Sequence, residues 1–225
     1  MSEICIKTEQ LFSRYPEYLS ELFCGSEYPW EIVSKIKSTV KDLIEKGIEG
    51  YIEYADGVLV AENVSIDESV TIIPPAVIGK GSELRKGAYL RGNVIIGERC
   101  VVGNSTELKN CILLDRVQVP HYNYVGDSVL GEHVHLGAGA ICSNLKSGGT
   151  SVTVHANENA YPTGLRKLGA MLGDGVDVGC GAVLAPGCVI GKGSVVYPLT
   201  FVRRTIPQNS IVKSMRDIVK RRENF

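Results

Sequence analysis

The chain carries four histidines, at 121, 133, 135 and 155, and seven cysteines, at 5, 24, 100, 111, 142, 180 and 188. These are its candidate bases, nucleophiles and metal ligands. No two cysteines form a Cys-x-x-Cys pair and their number is odd, which argues against a zinc ribbon or a disulfide framework and for a reducing cytoplasm. His121 stands in the run VPHYNYVGD, beside Pro120 and three residues before Tyr124. Imidazole, with an ordinary pKa of about 6.5, is largely neutral at pH 7 and can take a proton from an attacking nucleophile. A single histidine does this only if the fold holds it in place; otherwise the structural role is the commoner one. The elements around it therefore decide.

Those elements repeat every six residues. Ile66, Ile72, Ile78, Leu84, Leu90, Ile96, Val102, Leu108 and Leu114 are all aliphatic, and small or β-branched residues stand two places before most of them. The pattern returns as Leu130 and Leu136, then as Leu172, Val178, Leu184, Ile190, Val196 and Val202. Six is neither the helical nor the strand period. It fits one short strand plus one tight corner, stacked coil on coil at the usual strand spacing of about 4.8 Å. Glycine, 25 of 225 residues, is expected at corners needing positive φ, and the scarcity of Phe (4) and Trp (1) fits a narrow interior. A sandwich of short strands would place turns every 8–12 residues instead. The period slips around residue 120, where Pro120 replaces the next aliphatic and Val125 and Leu130 come early. Such a break puts His121 at a place where function overrides regularity.

The rest of the chain frames this solenoid. Residues 1–55 lack the repeat and predict a helical segment, Glu9–Phe23 and Trp30–Lys46, that caps the coil or packs on a neighbour. The solenoid covers 56–205 with an excursion at 146–168 holding a small hairpin, and 206–225 forms a basic tail with a short helix at Ser214–Arg222. Seven Lys or Arg against two acids from Arg203 onward form either a solvated face or an attraction for an anion. A net charge of −1 gives no drive toward nucleic acid. No apolar run approaches the roughly 18 residues of a membrane span, and MSEICIKTEQLFS has no signal-peptide core.

The six-residue pattern resembles that of the hexapeptide-repeat acyltransferases. That resemblance implies an all-β solenoid, a left-handed parallel β-helix of about seven triangular coils, assembled as a homotrimer. Across about 140 residues the runs LRG, GNSTELKN, VPHYNYVGD, GAGAICSN and KLGAMLGDGVDVG are similar to the acetyltransferase half of the bifunctional enzymes that make UDP-N-acetylglucosamine. The resemblance implies acetyl-CoA as co-substrate and a sugar phosphate as acceptor, with no metal. It gives His121 as general base and Arg91 and Lys109 as phosphate-binding groups. Tyr124 and Asn144 correspond to sugar contacts and Lys167 to a substrate-side lysine. Ala140, Cys180, Pro198 and Arg204 fall near the coenzyme groove. An N–H of the Gly137–Ala140 stretch would face the oxyanion.

The chain departs from that family at His135, where Asn is usual, at Leu145, where Tyr is usual, and at Cys180, where Ser is common. These changes leave the acceptor open and keep alive a non-catalytic alternative, a trimeric scaffold binding a sugar nucleotide. A three-histidine metal lyase on the same prism fits poorly, because His133 and His135 are only two residues apart. No nucleotidyltransferase signature precedes the repeat, so uridylyl transfer is not expected from this chain alone.

Overall fold

A computed structural model describes Ile4 and residues 6–221. Three parallel walls wind around one apolar interior. Wall 1 contains Val58–Ala61, Ala76–Ile78, Val94–Ile96, Cys111–Leu113, Val129–Leu130, Ala170–Leu172 and Cys188–Ile190, with Tyr51–Ala55 antiparallel at its edge. Wall 2 contains Thr71–Ile73, Tyr89–Arg91, Glu107–Lys109, Tyr124–Gly126, Ile141–Cys142, Val183–Leu184 and Phe201–Val202. Wall 3 runs from Ser65–Ile66 through Val101–Asn104, Gln118–His121, His135–Leu136 and Asp177–Val178 to Val195–Val196. The fold is a left-handed parallel β-helix.

The interior is built from the predicted aliphatics, among them Ile78, Leu84, Leu90, Ile96, Val102 and Leu108, with Leu172 to Val202 after the excursion; none of its residues is aromatic. Each such side chain taken from water contributes about 1.5–3 kcal/mol. Serine and threonine sit inside because they bond to the coil above. Ser82 Oγ donates to Gly97 O at 2.7 Å and Thr106 Oγ1 to Val119 O at 2.9 Å.

The register break lies elsewhere than the sequence pattern indicates. Ala76 pairs with Val94, eighteen residues on, but Val94 pairs with Cys111 and Ile112 with Val129, each seventeen on. The inward residue of that unit is therefore Leu113, while Leu114 and Ile112 face outward. Val119 then fills the inward place, and Pro120 stands just beyond it. Both missing residues come from the corner between walls 2 and 1. There Gly92 and Asn93 both have positive φ, whereas the next two coils turn on Asn110 (φ 46) and Asp127 (φ 48) alone. Asn and Asp tolerate this left-handed backbone better than most residues.

The glycines that directly follow an inward aliphatic serve close approach rather than positive φ. A Cβ on Gly79 would lie 2.5 Å from Gly97 C, and one on Gly131 would lie 2.6 Å from Asp174 N. Positive φ falls instead at the next corner positions, such as Gly81 and Gly139.

Three further expectations are corrected. The first N-terminal helix is broken: Thr8–Leu11 and Ser20–Cys24 are helical, with a 3-10 turn at Glu17–Leu19 after Pro16. The second is a helix over Pro29–Lys46. Neither caps a coil end. Leu11, Phe23, Ile32, Val33, Ile36 and Val40 pack on the outer side chains Val77, Ile95, Ile112, Val129 and Met171 of wall 1. Wall 1 is thus buried on both faces, which is why its strands read AVI, VII and CIL with no polar alternation. Finally, the helix expected over Ser214–Arg222 is a β-hairpin, Ser210–Ser214 with Asp217–Lys220, extending wall 3; residues 222–225 lie outside the described residues. The alternation that points Val212 inward and leaves Ile211 half-exposed sets the strand period, and basic residues fill its outer face. The excursion holds the expected hairpin, Thr153–Ala156 with Asn159–Pro162.

Burial also sorts the thiols. It pushes Cys100, Cys142 and Cys188 up to about 12 and raises Cys111 further in the same direction, whereas Cys24 and Cys180 are exposed. Thiolate is the reactive form. At pH 8, therefore, iodoacetamide followed by peptide mass mapping is expected to label Cys24 and Cys180 and to spare the four buried thiols until denaturant is added. Labelling of Cys142 or Cys188 in the folded protein would contradict this packing.

Candidate functional site

Two corners border wall 2, and the candidate residues divide between them. At the corner entering wall 2 from wall 3, His121, Ala138, Cys180 and Pro198 stack on successive coils. The ladder runs from Gly139 N–H to His121 O (3.0 Å), from Gly181 N–H to Ala138 O (2.8 Å) and from Leu199 N–H to Cys180 O (2.9 Å). At the corner leaving wall 2 for wall 1 stand Arg91, Lys109, Asn144 and Lys167, the last through its bridge to Leu145.

His121 is exposed, and its imidazole makes no hydrogen bond among the described residues. Its backbone is pinned by buried Asn123, whose Oδ1 accepts the His121 N–H at 3.1 Å while its Nδ2 donates to Gly137 O at 2.8 Å. Tyr122 between them takes φ 52, completing the turn. Among the Gly137–Ala140 amides, Gly137 donates to Val178 O, Gly139 to His121 O and Ala140 to Gly137 O. The Ala138 N–H alone of the four has no acceptor among the described residues.

Tyr124 spans the wall. Its hydroxyl lies over Gly126 against the Asn144 amide, and a Cβ on Gly126 would come within 2.6 Å of that hydroxyl and 2.7 Å of Asn144 Nδ2. Burial, then the nearby Glu107 and Asp127 carboxylates, raise the phenol above its ordinary range, so it stays protonated as a donor. Arg91 Nη1 contacts Glu107 Oε1 at 2.6 Å, and its guanidinium carbon lies 6.0 Å from the centre of the Tyr89 ring. Lys109 Nζ reaches Asp127 Oδ2 at 3.2 Å, and Asn144 Nδ2 donates to the same oxygen at 2.5 Å. Arg91 and Lys109 thus each meet one carboxylate along this edge, and the backbone bridge of Lys167 to Leu145 brings a third cationic residue to it.

One candidate falls elsewhere. Ala140 lies in the core with 1% exposure, so its side chain cannot reach a groove; small size is what the interior demands there. Arg204 follows the last strand of wall 2 and donates to Met215 O at 3.1 Å, and Met215 lines the same cleft as Pro198. Asp127, Asn123 and Ala138 were not singled out by sequence. A buried carboxylate in the run YVGD and an asparagine two after the histidine were the available signals. His135 pairs through Nδ1 with Asp177 Oδ1 at 2.8 Å on wall 3. Among the described residues no group of three His, Cys, Asp or Glu converges as a metal site, and no helix is long and apolar enough to cross a membrane.

Known proteins carry the same pattern. The family model described as the GMPPB C-terminal domain matches residues 72–160. The bifunctional protein GlmU of Methanococcus vannielii is 34% identical over 199 residues, 87% of this chain and 48% of that protein. The repeat and the fold are those of the hexapeptide-repeat left-handed β-helices. The bifunctional sugar-1-phosphate nucleotidylyltransferase/acetyltransferase of Sulfurisphaera tokodaii is 32% identical over 189 residues, 82% of the β-helix chain and 47% of its own. The chain spans about half the length of these relatives. Among solved structures, a point mutant of the N-acyltransferase AntD of Bacillus cereus, in complex with dTDP and coenzyme A, aligns at TM-score 0.42 and 18% identity, covering 79% of this chain and 93% of that one.

Proposed function

We propose that this β-helix transfers an acetyl group from acetyl-CoA to the amine of an aminosugar phosphate, with His121 as general base. The observation that carries the reading is the division of the site: an exposed imidazole and a free amide on one edge of wall 2, a cationic row on the other. The names of the relatives, one of which includes an acetyltransferase, support it.

The acceptor's phosphate lies along Arg91, Lys109 and Lys167, where Arg supplies a fork and Lys a point charge. Asn144 and Tyr124 meet the sugar hydroxyls and aim its amine across wall 2 toward His121. The amine lone pair forms the C–N bond at the thioester carbonyl, and the imidazole takes the amine proton. The Ala138 N–H donates to the tetrahedral oxyanion. Collapse breaks the C–S bond, and the departing thiolate takes the proton from the imidazolium, restoring the base.

On the donor side, Cys180 and Pro198 continue the His121 edge toward a cleft of about 350 Å³ walled by Pro198, Leu199, Phe201, Lys213 and Arg216. Leu199 and Phe201, 84% and 53% exposed, suit the pantetheine arm, and Lys213 and Arg216 its phosphates. The same exposed side chains, with Ile141 and Tyr197, favour burial against further copies in a homotrimer. The six cysteines among the described residues are all free thiols, which suits the cytoplasm.

A thiol-release assay with acetyl-CoA and a panel of aminosugar phosphates tests the reading. Release is expected with glucosamine 1-phosphate or a close relative. Arg91→Ala is expected to raise the acceptor KM by about ten-fold, the worth of a charge-assisted hydrogen bond, and to leave the acetyl-CoA KM unchanged. Absence of release with every acceptor overturns the proposal; acceptor binding without release instead favours a non-catalytic sugar-binding scaffold.

A further inference from the structure

We infer that Asp127 is a positioning residue that fixes the acceptor-binding side chains, an assignment that rests on the acyl-transfer reading above. Asp127 is 5% exposed, and its carboxylate collects donors from the coils on either side of its own. Lys109 Nζ approaches Oδ1 at 3.4 Å and Oδ2 at 3.2 Å, Asn110 Nδ2 donates to Oδ1 at 2.9 Å, and Asn144 Nδ2 donates to Oδ2 at 2.5 Å. A buried carboxylate without such donors would be costly, and here each oxygen is met. Carboxylate oxygens only accept, so they fix which way the Asn144 amide points: Nδ2 inward, Oδ1 free for a ligand hydroxyl. They also hold the Lys109 ammonium beside the wall rather than in water.

The backbone is bound into the same knot. Asp127 N–H donates to Lys109 O at 2.9 Å, Gly169 N–H donates to Asp127 O at 2.7 Å and Leu168 N–H to Asn144 O at 3.0 Å. The return of the excursion, which carries Lys167, is therefore stitched to the corner that Asp127 makes. Asn110 Nδ2 also reaches Val33 O at 3.4 Å, on the helix over Pro29–Lys46. Shortening the coils to seventeen residues places Asn110 and Asp127 on this one corner, each in left-handed conformation. The regular coil beneath, which turns on Gly92 and Asn93, has no such carboxylate.

Asp127 could alternatively be a competing charge that weakens the hold of Lys109 on a phosphate, and the two roles have opposite signs. Asp127→Asn keeps the shape but turns an acceptor into a donor facing other donors. As a positioning residue, its loss is expected to weaken glucosamine 1-phosphate, measured by calorimetry without acetyl-CoA and as acceptor KM, by about ten-fold or more. The kcat and the acetyl-CoA KM stay within about two-fold, a split that general loosening would not produce. Combining it with Asn144→Ala is expected to cost much less than the product of the single effects. Asn110→Gly, which keeps the left-handed turn and removes one donor to the carboxylate, is the second variant and moves the same constant in the same direction. Unchanged or tighter acceptor binding in Asp127→Asn, or additive effects in the double variant, overturns the inference while leaving acyl transfer intact. A wild type that binds the sugar phosphate, loses it on Asp127→Asn and releases no thiol overturns the acyl-transfer reading instead. A wild type that does not bind it overturns the inference.

Discussion

His121→Ala is expected to lower kcat for acetyl transfer by about 10²–10⁴-fold, the usual contribution of a positioned general base. The thermal midpoint should stay essentially unchanged, and so should the KM for acetyl-CoA. The stability half of this expectation follows from exposure. The imidazole is exposed and makes no hydrogen bond among the described residues, while the corner is held by Asn123 and by the His121 backbone itself. Truncation therefore removes a side chain that the fold does not use. The activity half follows from the edge it occupies, directly beside the coil whose Ala138 amide is free. No other histidine can substitute. His133 is on a different corner, near Glu132 at 3.6 Å, His135 is paired to Asp177 on wall 3, and His155 is in the excursion hairpin. Steady-state kinetics with acetyl-CoA and the acceptor, beside a thermal melt of each protein, check it. Full activity in His121→Ala would remove this residue from the reaction.

How much of this was legible depended on which face of a strand was being read. The inward positions repeat every six residues because the stacked coils are near-identical, so Leu84, Leu90 and Ile96 announce themselves. The aromatic scarcity belongs to the same interior: Phe12, Phe23 and Trp30 are all in the layer packed outside wall 1. That layer was harder to place. The apolar outer residues of wall 1, Val77, Ile95 and Ile112, flank inward ones and so look like noise in a six-residue pattern, although they are the partner of the N-terminal helices. The register break is hidden in the sequence because Leu113 and Leu114 are adjacent and equally aliphatic; only pairing distinguishes them. The C-terminal hairpin is masked for a related reason. Its basic residues lie on an outer face at strand spacing, but seven cations in a short tail resemble a charged helix. At the site, residue types with chemistry of their own could be matched, whereas Asp127 and Asn123 act through other residues and Ala138 through its backbone. These three have meaning only once coils are stacked.

Gly103→Ala is expected to be the most damaging single-methyl change at the base corner, with a loss of about 3 kcal/mol or more, the upper end for an overpacked interior. For a chain of this size that is a fall of roughly 6–12 °C in thermal midpoint. A Cβ at Gly103 would overlap Pro120 O and C, both main-chain atoms that no rotamer change can move away. Asn104 pairs with His121 in register, and Tyr122 N–H donates to Asn104 O at 2.8 Å, so the two coils cannot part at Pro120 without breaking that contact. Part of the strain must be relieved by tilting the Pro120–His121 peptide, which carries the base. Fresh, folded Gly103→Ala assayed well below its midpoint should therefore keep the acetyl-CoA KM and lose kcat, through a misplacement of the kind that costs about 10²-fold per ångström. Gly81→Ala is the control, since its added Cβ would meet only the Arg99 side chain at 3.6 Å and its cost is confined to a left-handed turn. If Gly103→Ala proves as stable and as active as the wild type, Pro120 is not the close-packed support of the base that its position over Gly103 makes it.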